Sequence, residues 1–86
     1  MVSKTVVIKN ATGLHARPAT LISKKASQFK SDVSVELKGK KANIKSLIGI
    51  LSLGAVKGDS LKIVTSGVDE IIALEEVSKL IETISD

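Results

Sequence analysis

The sequence predicts a two-layer α+β domain with the element order β-α-β-β-α-β-α. Four segments alternate apolar and polar residues with a period of two, and each has a single apolar face, which is typical of a sheet covered on one side only. Three other segments space their apolar residues as amphipathic helices do. The chain has 86 residues with no repeat or linker, so we expect residues 1–86 to form a single domain.

The four predicted strands are short and bounded by polar or glycine-containing turns. Lys4 interrupts the apolar face of the first strand, which spans residues 2–8. Gly39 separates the second strand from the third and favours a hairpin between them. The apolar residues that share a face are Val2, Val6 and Ile8 in the first strand, Val33, Val35 and Leu37 in the second, Ala42 and Ile44 in the third, and Leu61 and Ile63 in the fourth.

The first predicted helix begins between Ala16 and Pro18, because proline is best tolerated in the first turn of a helix. The residues that follow have the spacing of an amphipathic helix with one side in the core and the other in water. Its core side carries Ala19, Ile22, Ala26 and Phe29, and its solvent side carries Lys24 and Lys25.

The second predicted helix is short, from about Ser46 to Leu53, with Ser46 as its N-cap and Gly54 as its stop. The third predicted helix begins near Asp69. Its apolar stripe consists of Leu74, Val77, Ile81 and Ile84, and Glu75 and Lys79 are spaced to form an ion pair along its surface.

The composition excludes several kinds of site. The chain has no cysteine, which rules out disulfide bonds and thiolate metal sites, and with a single histidine we expect no metal ion or other cofactor. No apolar run approaches the ~20 residues that a membrane span requires, and the N-terminus lacks the apolar core of a secretion signal. We therefore expect a cytoplasmic protein without direct membrane insertion.

The charge is distributed unevenly along the chain, whose net charge is +4. Residues 1–58 hold 11 basic and two acidic residues, a balance of +9, whereas residues 59–86 have a balance of −5. This distribution favours an anionic ligand or a partner with an acidic surface. Nucleic acid is not expected, because a single aromatic residue, Phe29, and a single arginine offer little base stacking or phosphate binding.

The only histidine, arginine and proline of the chain lie together in the segment Gly13-Leu14-His15-Ala16-Arg17-Pro18-Ala19-Thr20. At the start of a helix the first N–H groups are unpaired and the helix dipole is positive, so an anion is stabilised there. A neutral imidazole offers a lone pair for nucleophilic attack, and the Arg17 guanidinium can donate paired hydrogen bonds to phosphoryl oxygens. The segment therefore predicts a phosphoryl-group site with His15 as the nucleophile. The alternative, an ordinary exposed histidine near a helix start, accounts for each residue singly but not for their clustering.

This segment resembles the active-site segment of the HPr family, the histidine-containing phosphocarriers of the bacterial phosphoenolpyruvate-dependent sugar phosphotransferase system. The resemblance covers the full chain and includes a second motif, Lys45-Ser46-Leu47-Ile48-Gly49-Ile50-Leu51-Ser52-Leu53-Gly54. It implies an open-faced β-sandwich, in which a four-stranded antiparallel sheet carries three helices packed on one face.

The resemblance also implies a carrier function rather than an enzymatic one. His15 would take a phosphoryl group from enzyme I, itself charged by phosphoenolpyruvate, and pass it to the sugar-specific IIA components of membrane permeases. Arg17 would stabilise the phosphoryl group, which would lie against the first helical turn at Ala16, Arg17 and Pro18. The sequence offers no candidate base or metal beside His15, so we expect no catalytic turnover by the chain alone.

Ser46 has two possible roles. A serine before a helix is a common N-cap and needs no further function. In one branch of the HPr family, however, this serine is phosphorylated by an ATP-dependent kinase/phosphorylase, so the resemblance implies that kinase and a catabolite-control transcription regulator as partners. Phosphorylation would add a charge of about −1.5 to −2 to a basic docking face and repel acidic partners.

The second helix is too short to bury all of its apolar residues, so we expect some of them to form an exposed docking patch. The family usually has methionine where this chain has Ile48 and Leu51. Methionine adapts to many partners, so this difference bears on partner breadth rather than on the chemistry at His15. The predicted docking residues are Thr20, Lys24, Leu47, Ile48 and Leu51, with Lys45 at the rim.

Three other functions stay open at this point. A regulatory interaction protein of the same fold would act in carbon catabolite control through Ser46, although such a protein would not need His15. A carrier in a nitrogen-related phosphorelay would use the same residues as a sugar carrier. A nucleic-acid-binding domain would need aromatic side chains on its sheet, which this chain lacks. For the carrier we expect a monomer.

Overall fold

The computed structural model describes residues 1–84, which form strands and helices in the predicted order. The elements are β1 (Val2–Val7), α1 (Ala16–Ser27), β2 (Asp32–Leu37), β3 (Lys40–Asn43), α2 (Leu47–Ser52), β4 (Ser60–Ser66) and α3 (Glu70–Thr83). The last two residues of the predicted domain lie outside the described residues. Within residues 1–84, none of the helices combines the length and the apolar character needed to cross a bilayer.

The four strands form one antiparallel sheet in the order β1-β4-β2-β3. The predicted hairpin joins β2 to β3, and Gly39 lies in its turn with a φ of 84°, which glycine adopts without strain. β4 is a central strand: Val6 of β1 lies opposite Leu61, and Val35 of β2 lies opposite Ile63. The first strand along the chain therefore pairs with the last, and β1 and β3 form the two edges of the sheet.

One face of the sheet is buried under the helices, and the other is open to solvent. The buried face carries the residues predicted from the alternation, together with Thr65, and packs against one side of α1 and of α3. Thr5, Lys41 and Lys62 are exposed on the opposite face. This arrangement confirms the open-faced β-sandwich that the family resemblance implied. The helix residues in the core are Ala19, Ile22 and Ala26 of α1, Ile50 of α2, and Ala73, Val77 and Ile81 of α3.

A carboxylate joins the turn between α1 and β2 to the start of α3. Asp69, the N-cap of α3, accepts hydrogen bonds from the backbone N–H groups of Lys30 and Ser31, both at 2.9 Å, and from the Ser31 hydroxyl. The Ser31 hydroxyl, followed by the Lys30 N–H, lowers the pKa of Asp69 to about 2, because these donors stabilise the charged form. Asp69 is therefore ionised at neutral pH, and the turn that follows α1 is fixed to the start of α3.

The helix surfaces differ from the prediction at two places. Lys25 is half-buried rather than directed into water, with its Nζ 4.0 Å from Glu76 Oε1 on α3. Glu75 and Lys79 form no ion pair in the part of the chain that the structure describes, where the α3 carboxylates that do so are those of Glu70, Glu76 and Glu82. These ion pairs of α3 run to the N-terminus, to β1 and to α1 rather than along the helix, and exposed pairs of this kind contribute little to stability in either arrangement.

Candidate functional site

His15 is the N-cap residue of α1, and its side chain is exposed. Its backbone is extended, with φ −96° and ψ −167°, and its carbonyl oxygen accepts the first hydrogen bond of the helix from Ala19 N at 2.9 Å. The imidazole itself makes no capping hydrogen bond. The ring thus lies where the chain enters the helix, and the helix does not require it for capping.

The first turn of α1 can receive an anion. The N–H groups of Ala16 and Arg17 precede the first hydrogen bond of the helix, so they have no intrahelical acceptor, and Pro18 has no N–H. Pro18 and Ala19 are buried, whereas Ala16 and Arg17 are exposed beside His15. No acidic side chain lies in this turn to compete with an incoming anion. The helix start therefore combines free donors with partial positive charge next to the imidazole.

The backbone before His15 passes close to the loop between α2 and β4. Gly13 has a φ of 68°, and a Cβ atom at this position would lie 2.5 Å from the carbonyl oxygen of Ala55 and 2.8 Å from Val56 Cα. Only glycine fits this approach without moving the backbone. The next residue, Leu14, is 5% exposed and donates its N–H to the same Ala55 oxygen at 3.0 Å. Gly13 therefore permits the close approach to Ala55, and Leu14 anchors the segment in the core.

Ser46 begins α2 as the sequence predicted. Its Oγ accepts a hydrogen bond from Gly49 N at 3.1 Å, which satisfies one of the free donors of this short helix. The residue is exposed, so its hydroxyl can be reached from solvent. The side-chain oxygen of Asn43, at the end of β3, accepts a hydrogen bond from the backbone N–H of Lys45 at 2.9 Å and so stabilises the turn that leads to Ser46.

The predicted docking residues lie on two helices that contact each other. Leu47, Ile48 and Leu51 are 38%, 79% and 40% exposed, while Ile50 of the same helix is buried. The Ser23 hydroxyl of α1 donates to Lys45 O at 2.8 Å and holds α1 beside the start of α2. Thr20, Lys24, Leu47, Ile48 and Leu51 therefore belong to one region, which we call the α1–α2 surface.

Two further exposed apolar residues, which were not predicted from the sequence, lie on α1 and in the loop before β4. Leu21 on α1 is 45% exposed, and Val56, in the loop against Gly13, is 56% exposed. Lys45 was predicted at the rim of this surface, but its side chain is partly buried. Its Nζ donates to Phe29 O at 2.8 Å, so its charge lies at the C-terminal end of α1, where it is stabilised by the helix dipole, rather than free at the rim.

The chain matches one family model and is similar in sequence and structure to several solved proteins. The family model described as "PTS HPr component phosphorylation site" matches residues 2–83. HPr-C-His from Thermoanaerobacter tengcongensis is 47% identical to this chain; the match covers 96% of this chain and 93% of that chain, with a TM-score of 0.93. HPr from Bacillus anthracis is 39% identical over 93% of this chain and 95% of its own, with a TM-score of 0.89. Crh from Bacillus subtilis, a catabolite repression protein solved as a domain-swapped dimer, is 41% identical over 94% of this chain and 93% of its own, with a TM-score of 0.77.

Proposed function

The chain belongs to the HPr family of phosphocarriers of the phosphotransferase system, and from that premise we propose that His15 is the residue that carries the phosphoryl group. The donor in this proposal is enzyme I, charged by phosphoenolpyruvate, and the acceptors are the IIA components of sugar permeases. The observation that carries the proposal is the exposed imidazole at the N-cap of α1, beside two N–H groups that have no acceptor in the helix.

Transfer to His15 requires that this chain supply a nucleophile and stabilise the charge of the phosphoryl group. The Nδ1 lone pair of a neutral imidazole attacks phosphorus, a P–N bond forms, and the bond from phosphorus to the donor breaks with its electron pair leaving on the donor. The N–H groups of Ala16 and Arg17, with the Arg17 guanidinium, stabilise the phosphoryl oxygens. The P–N bond is labile, so the same chemistry in reverse delivers the group to an acceptor.

Incubation with phosphoenolpyruvate and enzyme I tests this assignment directly. We expect intact-mass spectrometry to show a single phosphoryl adduct on the chain, and fragmentation at alkaline pH to place it on His15. The adduct should be lost in mild acid, because phosphoramidates hydrolyse there and phosphoserine does not. An acid-stable adduct, or none, would remove His15 from the carrier function.

The partners follow from the charge and exposure of the α1–α2 surface. Exposed aliphatic residues with Lys24 and Arg17 nearby match a partner that offers apolar contacts within an acidic surface. Enzyme I and the IIA components would use this surface in turn, since each must reach His15.

Phosphorylation of Ser46 by an ATP-dependent kinase would regulate this docking. We expect Ser46→Asp to weaken binding to enzyme I by about three- to tenfold at low salt, the effect of one repulsive charge at a contact. Aspartate is as good an N-cap as serine, so α2 should keep its stability and only the charge changes. Titration calorimetry at two salt concentrations measures the affinity, and the loss should shrink at high salt.

The matched control for Ser46→Asp is Ser3→Asp, which adds the same charge on the open face of the sheet, where Ser3 is exposed opposite Val64. We expect its affinity for enzyme I to stay close to that of the unmodified chain. If both variants bind equally well, or lose affinity equally, repulsion at the α1–α2 surface is not the mechanism.

A regulatory function controlled at Ser46 through a catabolite-control transcription regulator is the second candidate, and the 41% identity to Crh favours it. The presence of His15 favours the carrier, and a carrier in a nitrogen-related phosphorelay would differ only in its partners. We further propose that the protein is cytoplasmic. We also propose that it is a monomer, because β1 of the chain pairs with its own β4 and the core is complete without a second copy. Sedimentation of the purified protein tests the monomer.

A further inference from the structure

The segment between β1 and α1 is shaped by the side chain of Asn10. Gly13 N donates to Asn10 O at 3.2 Å, which closes a four-residue turn. Asn10 Nδ2 also donates to Gly13 O at 2.6 Å, a second bond across the same turn. Asn10 is only 6% exposed, so both bonds form away from bulk solvent, where each has greater effect than on the surface.

These bonds fix one particular peptide group. The peptide between Gly13 and Leu14 presents its oxygen to Asn10 Nδ2 and its N–H to the carbonyl of Ala55, at 2.6 and 3.0 Å. A peptide group is planar, so holding both of its polar atoms fixes its orientation. The contact of Gly13 with the Ala55 backbone and the burial of Leu14 leave this group no room to shift.

His15 lies one residue beyond the fixed peptide. On its other side, the His15 carbonyl oxygen is held by Ala19 N at 2.9 Å. The backbone is thus restrained on both sides of the imidazole, and the ring keeps only its side-chain rotations. Turn formation alone does not explain the second bond, because the Gly13 N–H already closes the turn on the Asn10 carbonyl.

We propose that Asn10 is a positioning residue for phosphoryl transfer at His15, acting through the fixed Gly13–Leu14 peptide. This inference rests on the function proposed above. In-line attack needs the nucleophile aligned with the breaking bond, and a displacement of about 1 Å can cost roughly 100-fold in rate. Asn10 does not touch the reacting atoms, so its loss should lower the rate of transfer without weakening the docking of partners on the α1–α2 surface.

The test compares Asn10→Ala and Asn10→Asp with the unmodified chain in phosphorylation by enzyme I. Aspartate has the shape of asparagine but, when ionised, lacks the N–H donor, so it separates hydrogen bonding from volume. Ala11→Asp is the control for added charge, since Ala11 is exposed in the same turn. Ile81→Val is the control for a general loss of stability, since Ile81 lies in the core on α3.

We expect kcat to fall by about 10- to 100-fold in both Asn10 variants, while KM for the chain stays within about twofold. Both controls should keep kcat within about twofold. Amide hydrogen exchange at Leu14 should be faster in the Asn10 variants by about tenfold or more, because the peptide loses its bond from Asn10 and only the bond of Leu14 N–H to Ala55 O remains to hold it, and it should be unchanged in Ile81→Val.

Three results would overturn the positioning role: kcat unchanged in Asn10→Ala, a fall no larger than that of Ile81→Val, or Leu14 exchange equal to that of the unmodified chain. An Asn10→Asp variant with full kcat at alkaline pH, where the carboxyl group is ionised and has no proton to donate, would also overturn it, since volume alone would then suffice. If the unmodified chain takes no label on His15, the proposed function fails and the positioning role fails with it. If the unmodified chain is labelled on His15 and the Asn10 variants have the same kcat as that chain, only the positioning role is contradicted.

Discussion

Replacing His15 with alanine is expected to abolish the labelling of this chain by phosphoenolpyruvate and enzyme I. The imidazole is the only one in the chain, so no second histidine can take over the group. The expected loss is complete within detection, because the variant removes the nucleophile itself rather than a group that assists it. Quantitative mass spectrometry over a time course with excess enzyme I measures it.

The fold should not suffer from this change. His15 is exposed and makes no capping hydrogen bond, so the free energy of unfolding should stay within about 0.5 kcal/mol of the parent value. Lys62→Ala, on the open face of the sheet, serves as the control and should be labelled like the unmodified chain. Labelling of His15→Ala at the parent stoichiometry would place the acceptor elsewhere.

Gly13→Ala is expected to cause the largest loss of stability among single-methyl additions at the site. A left-handed φ of 68° costs a non-glycine residue about 1–2 kcal/mol. The added Cβ would also overlap the Ala55 oxygen and Val56 Cα, which are backbone atoms and cannot rotate away. Overpacking of this kind adds about 1–3 kcal/mol, so the expected total is a large part of the ~5–15 kcal/mol that holds a domain together.

Gly54→Ala separates the two contributions. Gly54 has nearly the same φ, 64°, but a Cβ there would have no heavy atom within 4 Å. We expect it to lose only the backbone contribution, about 1–2 kcal/mol. Urea denaturation of both variants, with the slope checked for constancy, gives the difference. Equal losses for the two variants would show that the approach of Gly13 to Ala55 is not tight in solution.

The local parts of the fold could be predicted because their signals lie close together in the sequence. Pro18 and the following apolar spacing gave the start of α1, and Ser46 and Gly54 bounded α2. The strand order could not be predicted, since pairing of β1 with β4 depends on packing between distant segments that alternation does not encode. The Glu75–Lys79 pair was wrong because spacing along a helix shows only that two side chains can meet. Both residues are exposed, and an exposed pair gains too little to fix two long side chains in one geometry.

The sequence predicted which residues form the candidate site, but not the hydrogen bonds that hold them in place. His15, Arg17 and Pro18 adjoin in the sequence, so their placement at a helix start followed from the helix itself. Asn10 was missed because an asparagine before a glycine-containing loop indicates only a turn. Its bond to Gly13 O, like the bond of Lys45 to Phe29 O, depends on side-chain directions that appear only once the surrounding elements are packed.

Anchoring at both ends of α1 has a consequence for how such a carrier delivers its cargo. Asp69 holds the turn that follows the helix, and the segment 10–14 holds the chain before it, so the imidazole cannot travel between partners on a flexible segment. Each delivery therefore requires the whole molecule to leave one protein and collide with the next. Flux through a shuttle of this kind rises with its abundance and falls as the solvent becomes more viscous, with encounter constants of about 10⁵–10⁷ M⁻¹s⁻¹ setting the scale.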